Sequence, residues 1–274
     1  MSPATAHAAR PVVLTIAGFD PSSGAGVTAD IKTIAAHGCY GVSCITALTV
    51  QSTRGVKRVE PVAVEVVRDT LAEVAADVNI AAVRVGMLAT AAVAAAVADF
   101  LEERRPPNVV VDPVLRASSG ADLIDEDGRE VLRLRLFKVA TIITPNLNEG
   151  ALLTGMDEKI APQPRAVAEG LHKLGARNVV VTGGNLPAPV DFLSGENGAI
   201  EHAFRGERIE TTATHGTGCA FATALACNLA LGQTLSEAVR LAGEYVRKAM
   251  ASAYPVGRGK GPVNHLFERS VPLQ

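Results

Sequence analysis

Residues Val12 to Gly38 read VVLTIAGFDPSSGAGVTADIKTIAAHG, which places a short apolar run, a glycine-rich loop and a segment of helical period in that order. The run Val12 to Ala17 is typical of a buried strand. The segment Val27 to His37 has helical period, and Gly38 follows it, where glycine commonly ends a helix. A strand, a loop and a helix in this order predict one repeat of an α/β fold.

The same alternation continues along the chain. Further short runs predict buried strands at Val42 to Val50, Ala82 to Val85, Val109 to Asp112, Thr141 to Thr144 and Val179 to Thr182. Helical period is found at Pro61 to Val78, Ala91 to Arg104, Arg165 to Leu174, Gly216 to Leu231 and Ser236 to Ala253. Ser236 is predicted to cap the last of these helices. Strands that alternate with helices indicate a mostly parallel sheet covered on both faces. We therefore predict an α/β fold, a three-layer αβα sandwich.

The stretch Val190 to Glu210 departs from this alternation. Glycines divide it into short segments, which predict an antiparallel meander at one edge of the sheet: Asp191 to Leu193, Ala199 to Phe204 and Arg208 to Ile209. Residues 1–11 are small and polar and are expected to form a flexible leader. Since the rest of the chain has no linker-like segment, we expect residues 12–274 to form a single domain.

Composition excludes several classes of protein. The chain has 274 residues, 48% hydrophobic and 20% charged, which is typical of a globular protein. A net charge of -2 gives no general attraction to nucleic acid or an anionic membrane. No apolar run approaches the roughly 20 residues that a membrane-spanning helix needs. The cysteines have no metal-site spacing and are too few for a disulfide framework, which predicts reduced thiols and a cytoplasmic protein: Cys39, Cys44, Cys219 and Cys227.

Loops that follow the strands are the expected place for a ligand, because open α/β sheets bind ligands beyond the carboxyl ends of their strands. In the first loop, glycines allow the backbone to approach a ligand just before a helix begins: Gly18, Gly24 and Gly26. Such glycines also occur wherever a turn needs a positive φ. The sequence has neither G-x-x-x-x-G-K-[ST] nor a complete G-x-G-x-x-G, which disfavours a P-loop or Rossmann enzyme.

The stretch THGTGCAFATALA, Thr214 to Ala226, is the most informative about chemistry. Gly216, Thr217 and Gly218 lead directly into an apolar helix, so that their backbone N–H groups can point together at an anion. Cys219 follows in the first turn, where the helix dipole is expected to lower the pKa of its thiol. A thiolate there could accept the proton of an attacking hydroxyl. The alternative is that Cys219 is a small core residue.

Asp112, Asn146 and Glu149 indicate a metal-nucleotide site. Asp112 ends the strand NVVVD, and the other two follow ATIITP near a helix start. Magnesium prefers one or two protein carboxylates together with waters and phosphate oxygens, so a sparse pair of acids suits Mg-ATP. The alternatives are dipole capping by Glu149 and a strand-end turn at Asp112.

Taken in order, the motifs resemble those of the hydroxymethylpyrimidine and phosphomethylpyrimidine kinases of thiamine biosynthesis, within the ribokinase-like superfamily. The resemblance extends from Val12 to His265 and rests on AGFDPSSGAGVTAD, CYGVSCITALTVQSTRGV, VGML, VVVDPV, TPNLNE, HGTGCAFATALA and GRGKGPVNH. It implies phosphorylation of the hydroxymethylpyrimidine and of its monophosphate, with ATP and Mg²⁺. It also implies a homodimer.

The resemblance assigns roles to individual residues. Those implied for the pyrimidine are Gly18, Asp30, Gln51, Met87 and Val114, with Asp30 and Gln51 bonding the amino group and ring nitrogens. Those implied for the nucleotide and its metal are Asn146, Thr182, Gly184, Asp112 and Glu149. The anion hole is expected at Gly216, Thr217 and Gly218, with Cys219 where sugar kinases of the superfamily carry an aspartate base.

Four positions depart from the family pattern. Ser23 stands where glycine is common, Ser118 and Thr182 where lysine is frequent, and Asn185 where histidine is frequent. Loss of two lysines removes positive charge from the triphosphate side, which Lys260, Arg54 or Arg116 could replace. Two other functions stay open: a pyridoxal kinase on the same fold, and a pyrimidine sensor without catalysis.

Overall fold

The structure, a computed structural model, describes residues 9–117, 120–156, 163–184 and 189–267. Most of the expected leader and two of the atypical positions, Ser118 and Asn185, lie outside the described residues. Within the described ranges one sheet contains nine strands, β1 (Val12–Phe19), β2 (Tyr40–Ser52), β3 (Gly55–Pro61), β4 (Ile80–Val85), β5 (Val109–Val111), β6 (Ile142–Ile143), β7 (Val179–Val181), β8 (Val190–Gly195) and β9 (Ile200–Arg205).

The helices of these same ranges are α1 (Gly26–Ala36), α2 (Val64–Asp77), α3 (Ala91–Arg104), α4 (Glu126–Val131), α5 (Phe137–Val139), α6 (Leu147–Thr154), α7 (Pro164–Lys173), α8 (Thr217–Ala230) and α9 (Leu235–Ala251). A π-helical turn, Leu132–Leu136, joins α4 to α5. None of the helices in the described ranges is long and apolar enough to cross a membrane.

The strand order is β3-β2-β1-β4-β5-β6-β7-β8-β9. From β2 to β7 every neighbouring pair is parallel, while β3, β8 and β9 pair antiparallel at the two ends. The mostly parallel sheet with an antiparallel edge is therefore confirmed. Because the inner strands are parallel, their carboxyl ends open on one side of the sheet, where the motif loops follow them.

Side chains that alternate along the strands form two separate cores. Val13, Val110 and Val180 face one side and pack with α1, α8 and α9. Leu14 and Val111 face the other side and pack with α2, α3, α6 and α7. Since successive residues of a strand point to opposite faces, each inner strand must be apolar throughout to fill both cores. The three-layer αβα architecture predicted from these continuous runs is confirmed.

Three boundary predictions were wrong. Pro61 ends β3, and α2 begins only at Val64, so Pro61 to Val78 combines the end of a strand with a helix. Arg208 to Ile209 is not a strand. The N-cap of α9 is Thr234, whose hydroxyl accepts from the Glu237 backbone N–H at 3.4 Å. In the sequence TLSE, Thr234 and Ser236 both carry a hydroxyl that can cap a helix. The cap is formed by Thr234, which precedes Glu237 by three residues.

Candidate active site

A cavity of about 1150 Å³ lies beyond the carboxyl ends of the parallel strands. It is lined by nearly all the residues that the sequence singled out, namely Gly18, Gln51, Met87, Asp112, Val114, Asn146, Glu149, Thr182, Gly184, Gly216, Thr217, Gly218 and Cys219. Ligand cavities in proteins are commonly about 300–1,000 Å³, so this one lies just above the usual range. The tertiary structure thus joins seven separated segments of the chain into one site.

One part of the cavity wall is apolar and close-packed. A Cβ atom at Gly18 would lie only 2.8 Å from the sulfur of Met87, so a larger residue has no room there. Met87 packs in a small cluster that Val114 joins from the loop after β5. An apolar wall with a few polar groups nearby is the usual lining for a flat ring, and Gln51 supplies a side-chain amide at this wall.

The turn before α8 requires glycine. Gly216 is the N-cap of α8 with a φ of +81°, a conformation that L side chains rarely adopt. A Cβ at Gly216 would also collide with the carbonyl oxygen of Gly24 in the first loop. The first amides of α8 have no partner within the helix, so they are available to an anion in the cavity.

Asp20 connects the first loop to this turn, and sequence reasoning missed it. Its carboxylate accepts hydrogen bonds from the backbone N–H groups of Ser22 at 2.7 Å and Ala25 at 2.9 Å. The His215 imidazole lies 2.8 Å from the same carboxylate. Burial by itself would raise the pKa of Asp20, but hydrogen bonds from His215, Ser22 and Gln51 hold it well below the usual range. Asp20 therefore stays ionised and orders both loops.

Cys219 is partly buried, and the expectation of a lowered thiol pKa is corrected. Burial raises the pKa of Cys219 to about 11, with further raising by Asp112 and Asp30 and opposed lowering by Arg84. Removal of a thiolate from water costs more free energy than its interaction with the partial positive charge of a helix N-terminus contributes. In the free protein at neutral pH this residue is a thiol.

Glu149 and Asn146 form a capping box at the start of α6. The Asn146 side-chain oxygen accepts from the Glu149 N–H at 2.9 Å, and the Glu149 carboxylate accepts from the Asn146 N–H at 3.0 Å. The capping role left open in the sequence is thus present, and both side chains also line the cavity. Capping and ligand binding are compatible here because a carboxylate has two oxygens.

Asp112 is buried and Glu149 is partly buried, and both line the cavity. Burial and the nearby Asp112 raise the pKa of Glu149 to about 8. Burial raises the pKa of Asp112 to about 6, with Arg84 opposing the shift and Asp30 adding to it. A divalent cation between two such groups would favour their ionised forms.

A further polar atom at this wall supports a metal-phosphate site. The hydroxyl of Thr144 is buried and has no hydrogen-bond partner within the described part of the chain, and Thr144 lines the cavity. The same residues contain no group of three or more His, Cys, Asp or Glu side chains placed to hold a metal. Two carboxylates and a hydroxyl fit magnesium, which keeps most of its waters and binds phosphate oxygens.

Asp30, for which the resemblance implies a contact with the pyrimidine, is not among the residues that line the cavity. Asp30 is fully buried and accepts hydrogen bonds from the hydroxyls of Thr15 at 2.6 Å and Thr223 at 2.7 Å. Arg84 donates to it at 3.1 Å. Three donors therefore surround the carboxylate of Asp30 in the protein interior.

Arg84 is the second residue that sequence reasoning missed. It lies in β4, is fully buried, and lines the back of the cavity. Its guanidinium donates to the Asp112 carboxylate at 2.7 Å as well as to Asp30. The available signal was a charged residue inside the otherwise apolar run Ala82 to Val85, because charged groups are buried only with partners.

Comparison with known proteins gives consistent results. A family model described as phosphomethylpyrimidine kinase matches residues 20–264. The chain is 46% identical over 260 residues to the thiamine biosynthesis bifunctional protein ThiED of Geobacter sulfurreducens, covering 94% of this chain but 53% of that protein. It is 41% identical to the hydroxymethylpyrimidine/phosphomethylpyrimidine kinase of Streptomyces coelicolor, covering 97% and 98%. The ADP complex of Bacillus subtilis pyridoxal kinase superposes with a TM-score of 0.85 at 32% identity, covering 95% and 99%.

Proposed function

Because the chain belongs to the phosphomethylpyrimidine kinase family, we propose that it phosphorylates hydroxymethylpyrimidine with ATP, and then its monophosphate to the diphosphate used in thiamine biosynthesis. The observation that carries the proposal is that one cavity joins an apolar wall, a glycine turn at a helix start and a pair of carboxylates. Each element matches one part of the reaction: the acceptor ring, the transferred phosphoryl group and the metal-bound triphosphate.

In this reaction the hydroxymethyl oxygen forms a bond to the γ-phosphorus while the bond to the ADP oxygen breaks. Negative charge spreads over the equatorial oxygens, where the amides of Thr217 and Gly218 stabilise it. Gly18, Met87 and Val114 hold the ring so that its oxygen is in line with the phosphorus. We propose that Cys219 accepts the hydroxyl proton. Since its pKa is about 11 in the free protein, this role requires bound substrates to favour the thiolate.

Asp112 and Glu149 would hold Mg²⁺, with Asn146, Thr182 and Gly184 beside the nucleotide. The bound ion would neutralise charge on the phosphates during transfer. The raised pKa values of both acids and the unpaired Thr144 hydroxyl support this assignment. Thr182 has a positional role already, because its backbone N–H donates to the Pro145 carbonyl at 2.9 Å and so joins the two nucleotide loops.

The direct test is product analysis. Purified protein is incubated with hydroxymethylpyrimidine and Mg-ATP, and mass spectrometry resolves the monophosphate from the diphosphate over time. We expect the monophosphate first and the diphosphate later. Absence of both products, with pyrimidine binding retained in calorimetry, would favour the non-catalytic sensor instead.

Pyridoxal kinase is the second candidate, since a solved pyridoxal kinase has the same fold over nearly the whole chain. Both substrates carry a hydroxymethyl group on a six-membered nitrogen ring. Gln51 and Met87, in the motifs where they stand, favour the pyrimidine. Measurement of turnover with the two compounds side by side distinguishes a pyrimidine kinase from a pyridoxal kinase. A large preference for pyridoxal would reverse the assignment.

We also propose a homodimer and a cytoplasmic location. All four cysteines are free of disulfide bonds, which supports a reducing compartment. Light scattering of the purified protein tests the dimer, with an expected mass twice that of the chain. A mass equal to one chain at micromolar concentration would contradict it.

A further inference from the structure

Beneath the cavity, one arginine joins several elements of the fold. We define the Arg84 bridge as Arg84 with its two carboxylate partners, Asp30 and Asp112, and the two hydroxyl groups that also bond Asp30, from Thr15 and Thr223. The arginine comes from β4, and its partners come from α1 and the end of β5. The hydroxyls come from β1 and α8. Five elements therefore meet at one polar cluster inside an apolar interior.

Burial makes the geometry of this bridge strict. The side chains of Arg84 and Asp30 are 0% exposed, and that of Asp112 is 7% exposed. Loss of one partner would leave an uncompensated buried charge, which strongly destabilises the folded protein. The charged members of the bridge therefore keep one another in position. The guanidinium is also confined from above, because a Cβ atom at Gly86 would collide with it. This explains the glycine of the VGML motif as space for an arginine and not as a ligand contact.

The bridge reaches the reacting groups through the bonds of Thr223 and Asp112, and Arg84 also interacts directly with the Cys219 side chain. Thr223 lies four residues after Cys219 in α8, so both side chains are on one face of the helix, one turn apart. Its bond to Asp30 therefore fixes the first turns of α8, whose N-terminus carries the glycine turn. On the other side, the bond from Arg84 fixes the Asp112 carboxylate at the cavity wall.

We propose that the Arg84 bridge is the positioning device of the phosphoryl-transfer site, in which Arg84 orients Asp112 directly and orients the start of α8 through Asp30 and Thr223. The inference rests on the proposed kinase function. It assigns Arg84, Asp30 and Thr223 to positioning and leaves pyrimidine contact to Gly18, Gln51, Met87 and Val114. A displacement of about 1 Å at such a site is expected to lower the rate by roughly 100-fold.

The test measures kcat, the KM for each substrate, and pyrimidine affinity by calorimetry in three variants of the full chain. Arg84→Met removes both bonds, Arg84→Lys keeps the charge but not the planar fork, and Thr223→Val removes only the hydroxyl. We expect kcat to fall about 100-fold, 10-fold and several-fold in that order, because a smaller displacement costs less. Pyrimidine affinity is expected to stay within about twofold in all three, as the ring wall is untouched.

The matched control is Arg135→Met. Arg135 also pairs with two carboxylates, those of Asp99 and Glu102, but on the surface. Loss of its pairs is expected to leave kcat unchanged. If Arg84→Met does not fold, Thr223→Val and Arg84→Lys still decide the matter.

Two results would overturn the proposal. One is wild-type kcat in Thr223→Val and Arg84→Lys. The other is an Asp30→Asn variant with weakened pyrimidine binding and an intact kcat, since this would make Asp30 a substrate ligand. Failure of the wild-type protein to turn over either substrate would instead count against the kinase function, so the two failures are distinguishable.

Discussion

The Nε2 atom of His215 lies 2.8 Å from the Oδ2 atom of Asp20, a residue 195 positions earlier in the chain. The contact joins the loop after β1 to the turn before α8. Because Asp20 also bonds Gln51, the ring wall and the glycine turn are ordered by one buried carboxylate.

Replacement of His215 by alanine is expected to lower kcat/KM about tenfold, since loss of a hydrogen bond to a charged group costs about 1.5–3 kcal/mol. The turn loses its support, and a buried carboxylate loses one partner. Steady-state kinetics at neutral pH measure the effect. His202→Ala, at an exposed position of β9, is the control, and equal loss in both variants would contradict a specific role of the contact.

Replacement of Gly216 by alanine should abolish most activity. The new Cβ would require a left-handed backbone, at a cost of about 1–2 kcal/mol, and would collide with the Gly24 carbonyl. Gly232→Ala at the other end of α8 is a matched control, because it has a similar φ of +84° but no atom within 4 Å of the added Cβ. Thermal unfolding should show a loss in both variants, and only Gly216→Ala should lose kcat. Normal kcat in Gly216→Ala would remove the turn from catalysis.

Cys219 allows a test of its charge and of its role. Because burial raises the thiol pKa to about 11, alkylation of Cys219 by iodoacetamide should be slow at pH 7 and should accelerate as pH rises towards 11. Peptide mass spectrometry follows this one site. Fast alkylation at pH 7 would contradict the raised pKa.

In the same residue, Cys219→Ala is expected to leave pyrimidine affinity nearly unchanged and to lower kcat, by about 10²–10⁴ if the sulfur accepts the proton. Calorimetry and steady-state kinetics separate the two effects. An unchanged kcat would remove the thiol from catalysis.

The raised pKa of Glu149 predicts how the stability of the folded protein depends on pH in metal-free buffer. Its pKa in the folded protein is about 8, whereas an unfolded glutamate has a pKa of about 4.3. Between these values the folded state binds a proton that the unfolded state lacks, so stability falls as pH rises through the window. Between pH 5 and pH 8, we expect the Tm of the wild type to fall by several degrees more than the Tm of Glu149→Gln. A loss of about 1 kcal/mol in the free energy of unfolding lowers Tm by about 3 °C in a domain of this size.

Magnesium provides the second half of that experiment. Added Mg²⁺ should restore the Tm of the wild type at pH 8 and have a smaller effect on Glu149→Gln, because ligand binding to the folded state stabilises it. Glu73→Gln, at an exposed position of α2, controls for loss of a surface charge. Identical pH dependence in the wild type and Glu149→Gln would show that this carboxyl does not titrate as described.

Sequence periodicity predicted the layered fold because the inner parallel strands are buried on both faces and must be apolar throughout. It failed for β3, whose sequence GVKRVEP has only partly buried and exposed positions, in no regular alternation. A short, half-exposed edge strand that ends in proline has little signal of its own, and here it was read partly as the start of α2. Ser23 shows the same limit of sequence-based prediction at a single residue. Its φ of +60° explains why the family pattern has glycine at this position, but a serine in the sequence does not indicate a positive φ.

By itself the sequence determined the main alternation of strands and helices, the loops that carry the chemistry, and the family, since these depend on local pattern and motif. Only the tertiary structure decided which acid of the first motif lines the cavity, namely Asp20 and not Asp30. Asp20 and Asp30 are ten residues apart, and their roles depend on the rotation of α1 and on a charged partner 54 residues further on. Whether a thiol ionises likewise depends on how deeply the fold buries it and which charges surround it. Such contacts are set by packing between distant segments, which local sequence does not encode.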